Sequence, residues 1–330
     1  WIEQVNRVFE NLEDNTFPLR YSITDIQGNV ATIEATLISS LPEELCSHPA
    51  TNLNSINKKR FQSDRFGVVQ IIPTGIRCEY GGYAGDATPA SNLLAKAADF
   101  LITHPNAVNA SDINEKSDNV LYVEGKSLDD FLLGNIALRQ TKKNSIGTFI
   151  DPTGTDQADS IIHTLNAGRA VAGFDCGRFT ILKSPLGVKI EWNESGSACG
   201  TIENPLSIIE GVQKLIDEGA TAIGGVSVIH GVTREISIAH MQGKIPNPSG
   251  VVEAIITHLI SHVFGVPTAH APLPYYLEVK HPTVMNPRAS AEFISTPHYF
   301  SVLKGLHNAP QLVPVETLDQ VPAEHISLNN

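Results

Sequence analysis

The sequence predicts an α/β fold: a mainly parallel sheet with flanking helices in two lobes, plus a small N-terminal helix/β-hairpin appendage. Two observations carry that expectation. From Gly67 onward, short β-branched or apolar runs alternate with longer amphipathic stretches, as in GVQKLIDEGA followed by TAIGGVSVI: a helix, a glycine stop and a buried strand. In addition, the residues that follow the apolar runs are glycine-rich, proline-rigidified or polar, whereas those that precede them are mostly plain apolar or surface residues.

Taken in order, Trp1, Val5, Val8 and Phe9 have helical spacing, and RYSITDI and VATIEATLI alternate about Gln27-Gly28-Asn29, which predicts a hairpin. The polar stretch from Ser40 to Asp64, with Pro42 and Pro49, reads as a connector. Strands are predicted at 67–73, 100–104, 119–123, 146–150, 178–183, 187–192, 221–229 and 266–270. Helices are predicted at 88–99, 127–135, 156–172, 204–218, 250–264 and 289–294. The resulting organisation is an appendage and linker over 1–65, a first α/β lobe over 66–150, a second over 151–310 and a tail over 311–330.

Hydrophobic residues make up 42% of the 330-residue chain but aromatics only 6%, so the core must be built from aliphatic side chains. A net charge of −12 argues against nucleic acid or an anionic membrane as partner, since both require clustered Lys and Arg. The basic cluster Lys58-Lys59-Arg60 sits in the connector and reads as a solvated loop. No run approaches the roughly 20 apolar residues of a membrane span, and no signal peptide is recognised. The four scattered cysteines read as reduced thiols, which suits the cytoplasm or a plastid stroma. A symmetric homo-oligomer is the default expectation.

In open α/β sheets ligands bind outside the carboxyl ends of the strands. Those ends carry Pro73-Thr74-Gly75, His104-Pro105-Asn106, Glu124-Gly125-Lys126, Asp151-Pro152-Thr153-Gly154, His230-Gly231 and His270-Ala271-Pro272. The loop GGYAGDATP, with Gly81, Gly82 and Gly85, runs into a helix start at Thr88-Pro89 and would offer backbone N–H groups to an anion. It lacks both the dinucleotide fingerprint and the Gly-Lys-Ser/Thr of a phosphate loop. Thr74, Gly75 and the loop glycines, with Asn106 and Asn109, are the expected ligand-binding groups, joined by Arg169 and His270. His104 is the expected acid/base, Asp86 a second proton carrier, and Cys78 a nucleophile or second acid. Cys199 lies in a second glycine-flanked turn, and Cys176 competes with both for a thiol role. Arg169 and Arg288 sit in apolar contexts that usually imply a carboxylate partner.

His258 and His262, four apart on a predicted helix, with His270 at the next strand end, offer a spacing that can hold a divalent metal. Leu259 stands where the zincin pattern needs Glu, so no cofactor is predicted and the metal remains the minority reading. Glu253 and His258 would otherwise form a polar patch behind the crevice.

The run IIPTGI-x-CE-x-GGYAGDATPASNLLA, with LITHPNAVNASD, NVLYVEGKSLDDFLLG and FGVPTAHAP, resembles a family of uncharacterised bacterial, cyanobacterial and plastid proteins that form a domain of unknown function. The resemblance covers about residues 66–310 and implies Asp86, His104, Asn106, Asn109, Arg169 and His270 as site positions. The strand ending in Pro-Thr-Gly, the Asn-rich turn and GATAIGGVSVI are also similar to the aspartate/glutamate racemase superfamily. Those enzymes place thiols where this chain has His104 and His230, so the resemblance implies a Cys/His or Asp/His pair in place of two thiols. The functional expectation is an enzyme of isomerase, lyase or amide-hydrolase type acting on a small anionic metabolite. The alternatives are a metabolite sensor without turnover and a metal-dependent hydrolase.

Overall fold

A computed structural model describes residues 7–9, 12, 16–39, 65–72, 87–105, 116–192, 198–245, 247–273, 298–315 and 325–326. The chain first forms an antiparallel hairpin, β1 (Phe17–Gln27) and β2 (Val30–Ile38), as its alternation predicts. Next come β3 (Gly67–Val69), helix α1 (Thr88–Ala95), β4 (Phe100–Thr103), β5 (Val120–Tyr122), α2 (Gly125–Leu132) and β6 (Ile136–Arg139). Then follow β7 (Ser145–Ile150), a 3-10 turn over Pro152–Gln157, α3 (Ala158–Ala172), β8 (Asp175–Ile181), β9 (Val188–Trp192) and β10 (Ala198–Thr201). The remainder is α4 (Pro205–Asp217), β11 (Ala222–Ser227), β12 (Ile229–His230), α5 (Arg234–Met241), α6 (Ser249–Phe264), β13 (Thr268–Pro272), α7 (His298–His307), β14 (Gln311–Pro314) and β15 (His325–Ile326).

The fold is α/β, and the described residues form two parallel sheets. One has the order β3-β4-β5, the other β13-β11-β7-β8. Three smaller sheets accompany them: the hairpin, β10-β9-β12, and β14-β6-β15. The four-stranded sheet takes β7 from before residue 151 and its other strands from after it. Residues beyond 311 are not all tail, since β14 and β15 flank β6 on both edges. The predicted helix over 289–294 lies outside the described residues. Sequence reading does not anticipate β6, β10, β12, α5, α7, β14 or β15.

Strand alternation sends successive side chains of the larger sheet to opposite faces. Ile146 and Ile150 of β7, with Val226 and Ala271, pack on Ile161 and Leu165 of α3 and on Val302, Leu303 and Leu306 of α7. On the other face Phe149 and Ile223 meet Ile208, Val212 and Leu215 of α4 and Val252, Ile256, Leu259 and Ile260 of α6. Hairpin residues Leu19 and Ile38 join this second core. In the smaller sheet Leu101, Val120 and Tyr122 extend the first core, while Phe100, Ile102 and Leu121 pack with Leu128 and Phe131 of α2.

The Gly224-Gly225 pair in β11 explains how two rings can press on the centre of the sheet from opposite sides. A Cβ at Gly225 would lie 2.0 Å from Phe149 Cζ, and one at Gly224 would lie 2.2 Å from the Tyr299 hydroxyl. Tyr299 is held there by a 2.7 Å hydrogen bond with Thr148 Oγ1. Because Phe149 is wholly enclosed and cannot retreat, Gly225→Ala is expected to destabilise the protein by about 1–3 kcal/mol. Urea denaturation with an unchanged m-value would show it, and an unchanged midpoint would mean the ring has room to move.

Candidate active site at the strand carboxyl ends

Thr74, Gly75, Cys78, Gly81, Gly82, Gly85, Asp86, Asn106, Asn109 and Arg288 lie outside the described residues. His104 stands just past β4, buried, where Ile72 N–H donates to its Nε2 at 2.8 Å. A neutral imidazole that accepts at Nε2 carries its proton on Nδ1. Burial pushes its pKa down to about 4, so it is neutral at physiological pH. In this structure its basic nitrogen is occupied in tying the exit of β3 to β4. Arg169 is exposed on the last turn of α3, beside Gly177 near the start of β8, and so stands apart from the carboxyl ends. Cys176 is buried there, its thiol pKa raised to about 11 by desolvation. That is the signature of an inert structural cysteine.

Beside His104, Val123 N–H bonds Thr103 O, and the chain then reaches Glu124. Glu124 is the N-cap of α2: Lys126 N–H donates to Oε1 at 3.0 Å and Ser127 N–H to Oε2 at 3.1 Å. The Ser127 hydroxyl adds a contact at 3.1 Å. Three more groups come from α6: Ser261 Oγ at 2.9 Å, Thr257 Oγ1 at 3.3 Å and His258 Nδ1. Burial by itself would raise the Glu124 pKa, but the His258 charge and hydrogen bond and the two α2 amides outweigh it. The pKa falls to about 2 and Glu124 is a carboxylate. A Cβ at Gly125 would sit 3.1 Å from His258 Cε1, so glycine is what lets the ring lie this close to the helix start.

The larger sheet presents a second polar constellation at its own carboxyl ends. Ser227, the last residue of β11, lies 2.9 Å through Oγ from Nε2 of His270 on neighbouring β13. Nδ1 of the same ring is 3.3 Å from Glu253 Oε2, a carboxylate on the second turn of α6. The order is hydroxyl, imidazole, carboxylate, with Glu253 able to fix the His270 tautomer. Asp151 follows β7, where its N–H bonds Val226 O at 2.9 Å and extends the ladder by one residue. Its Oδ1 accepts Thr153 N–H at 3.0 Å, while the buried Oδ2 has no hydrogen-bond partner.

Both constellations are anchored by α6. Glu253, Thr257 and Ser261 lie four apart along one face of that helix, and each meets a strand-end residue or its partner. Asn247 Oδ1 accepts Ser249 N–H at 3.0 Å and starts the helix. The expected polar patch of Glu253 and His258 thus forms as two separate contacts, one to each sheet.

A family described as "Protein of unknown function (DUF3326)" matches residues 67–329, from β3 to past β15. The chain belongs to this family. An uncharacterized lipoprotein from Synechococcus is 36% identical over 248 residues, which cover 74% of this chain and 68% of that protein. Every residue of the two DUF3326 constellations falls inside the matched range, and the hairpin β1–β2 precedes it.

Among the described residues no group of three His, Cys, Asp or Glu could hold a metal ion. His258 and His270 face different partners, and His262 is buried on α6. No described helix is long and apolar enough to cross a membrane. Ser227 went unnoticed because it closes an apolar run. Glu253 is the one acid in SGVVEAIITHLISHVF, a signal that could have marked it.

The two depressed pKa values fix how stability depends on pH. Between pH 6.5 and about 4 the unfolded chain protonates His104 and the folded chain does not, so stability falls as pH drops through this window. The loss is about 3 kcal/mol, and His104→Gln, which keeps an acceptor for Ile72 N–H, should flatten it. The stability contributed by Glu124 is present above its ordinary value of 4.5 and is lost as pH falls towards about 2. Glu124→Gln should cost about 3–5 kcal/mol at pH 7. Urea midpoints from pH 3 to 8 test both, and a flat wild-type profile from pH 7 to 4 would refute the role of His104.

Proposed function

We propose that this chain is an enzyme acting on a small metabolite in the crevice at the strand carboxyl ends, by acyl transfer of the amide-hydrolase type. The observation that carries the reading is the Ser227–His270–Glu253 contact chain, at 2.9 and 3.3 Å. In this mechanism Ser227 Oγ attacks the substrate carbonyl carbon as its proton passes to His270 Nε2. The imidazolium formed is stabilised by Glu253, and its proton then goes to the leaving nitrogen as the C–N bond breaks. Water, deprotonated by the same imidazole, hydrolyses the acyl-serine and returns Ser227. The glycine-rich loop over 81–85 would hold an anionic end of the substrate. The free thiols of Cys176 and Cys199 support a reducing, cytoplasm-like compartment.

Ser227 has no solvent exposure and His270 is buried, which suits a small substrate and a reaction shielded from bulk water. The same enclosure favours one second reading, a sensor that binds at this rim without turnover.

A small fluorophosphonate, which reports a nucleophilic serine, separates the two. On an acyl-transfer enzyme it should form a Ser227 adduct, located by peptide mass spectrometry and absent from Ser227→Ala. His270→Ala should slow labelling by about 10²–10⁴-fold, and Glu253→Gln by a smaller factor. A folded wild-type protein with no adduct at Ser227 would leave the sensor.

A further inference from the structure

One carboxylate of the described rim is only half used. Asp151 is 1% exposed, yet its Oδ2 has no hydrogen-bond partner. Buried polar atoms are nearly always satisfied, and a buried carboxylate oxygen left over is costly enough to need a reason. Thr153 N–H on Oδ1 accounts for the turn into the 3-10 segment but not for Oδ2.

Register places this oxygen. In a parallel ladder the residue whose N–H bonds the carbonyl of j−1 is the partner of j. Asp151 N–H bonds Val226 O, so Asp151 pairs with Ser227, directly after the pair Ile150 and Val226. Paired residues of neighbouring strands share a face and lie about 4.8 Å apart. Phe149, two residues before Asp151, lies 6.4 Å from the His270 ring between centroids, which fixes that face as the one bearing His270. Asp151 and Ser227 are therefore neighbours on that face, and His270, which pairs with Gly225 two residues earlier on β11, reaches Ser227 through Nε2, with Glu253 meeting its Nδ1 from α6.

We infer that Asp151 is the substrate-anchoring carboxylate of this site and that its Oδ2 binds a primary ammonium group carried one or two carbons from the acyl carbon that Ser227 attacks. An ammonium carried one or two carbons from a carbonyl is short enough for its two ends to be served by side chains on neighbouring strands, about 4.8 Å apart. A cation is the partner that best offsets a buried carboxylate. The substrate class is then an α- or β-amino amide, whose ammonium sits over β7 while its carbonyl faces β11. The role of Ser227 rests on the acyl-transfer reading; the ammonium site itself does not.

The test uses the full chain, with glycinamide and β-alaninamide as probes and propionamide as the control lacking the ammonium. Calorimetric titration at pH 7 should show binding of at least one amino amide to wild type at least 10-fold tighter than propionamide. Asp151→Asn, which keeps the size and the Thr153 contact, should weaken that binding at least 10-fold and leave propionamide unchanged. The titration reads ammonium binding and not turnover, so a failed fluorophosphonate reaction would remove the chemistry without touching this result. Equal affinity of wild type for amino amides and propionamide would overturn the inference, whatever the variant does. So would unchanged binding in Asp151→Asn, or no binding of either amino amide to wild type.

Discussion

The arrangement depends first on the buried carboxylate of Glu124. It cannot be left uncompensated in an apolar interior, and its oxygens are met by groups from two distant segments, the start of α2 and the middle of α6. That demand sets the position of α6 along and about its axis. Thr257, His258 and Ser261 must face the smaller sheet, while Val252, Ile256, Leu259 and Ile260 turn to the larger one. One helical turn before Thr257, the same geometry delivers Glu253 to His270. A contact that looks purely architectural thereby decides whether the histidine of the other sheet is oriented.

The larger sheet solves a complementary problem. Its four parallel strands are covered on both faces, which requires side chains to approach the backbone closely in the centre and polar groups to be confined to the ends. Gly224 and Gly225 meet the first requirement by admitting Tyr299 and Phe149. Asp151, Ser227 and His270 meet the second, gathered where the ladder stops. The described rim carries carboxylates and imidazoles and leaves one oxygen unmatched, and strain or unmet polarity of this kind tends to collect where a protein binds something.

Periodicity made the covered strands and amphipathic helices legible. Their apolar spacing is set by local geometry, so β1, β2, β4, β7, β11, α3, α4 and α6 could be placed from the residues alone. The elements that escaped are short or defined by remote partners. β6 has four residues and is a strand because β14 and β15 flank it, a fact no window around residue 137 contains. The site was legible in the same uneven way. His270 was noticed at the carboxyl end of its predicted strand, where it meets Ser227 and Glu253. His104 was noticed as well, but its bond to Ile72 joins residues 32 apart and is invisible to motif reading. The four-residue spacing of His258 and His262 suggested a shared ligand, whereas the partner of His258 is Glu124, far earlier in the chain. Ser227 hid inside its own strand because a small hydroxyl does not disturb a hydrophobic run.

The pairing of β6 bears on how the molecule is made. During synthesis β6 leaves the ribosome long before either of its partners, which lie far along the chain. Until then Ile136 and Leu138 lack part of their cover, and both backbone edges of β6 are open to any other strand. Closure of this sheet is therefore a late, long-range event of the kind that slows folding. β14 and β15 act as a clasp that closes both edges of β6 once they emerge.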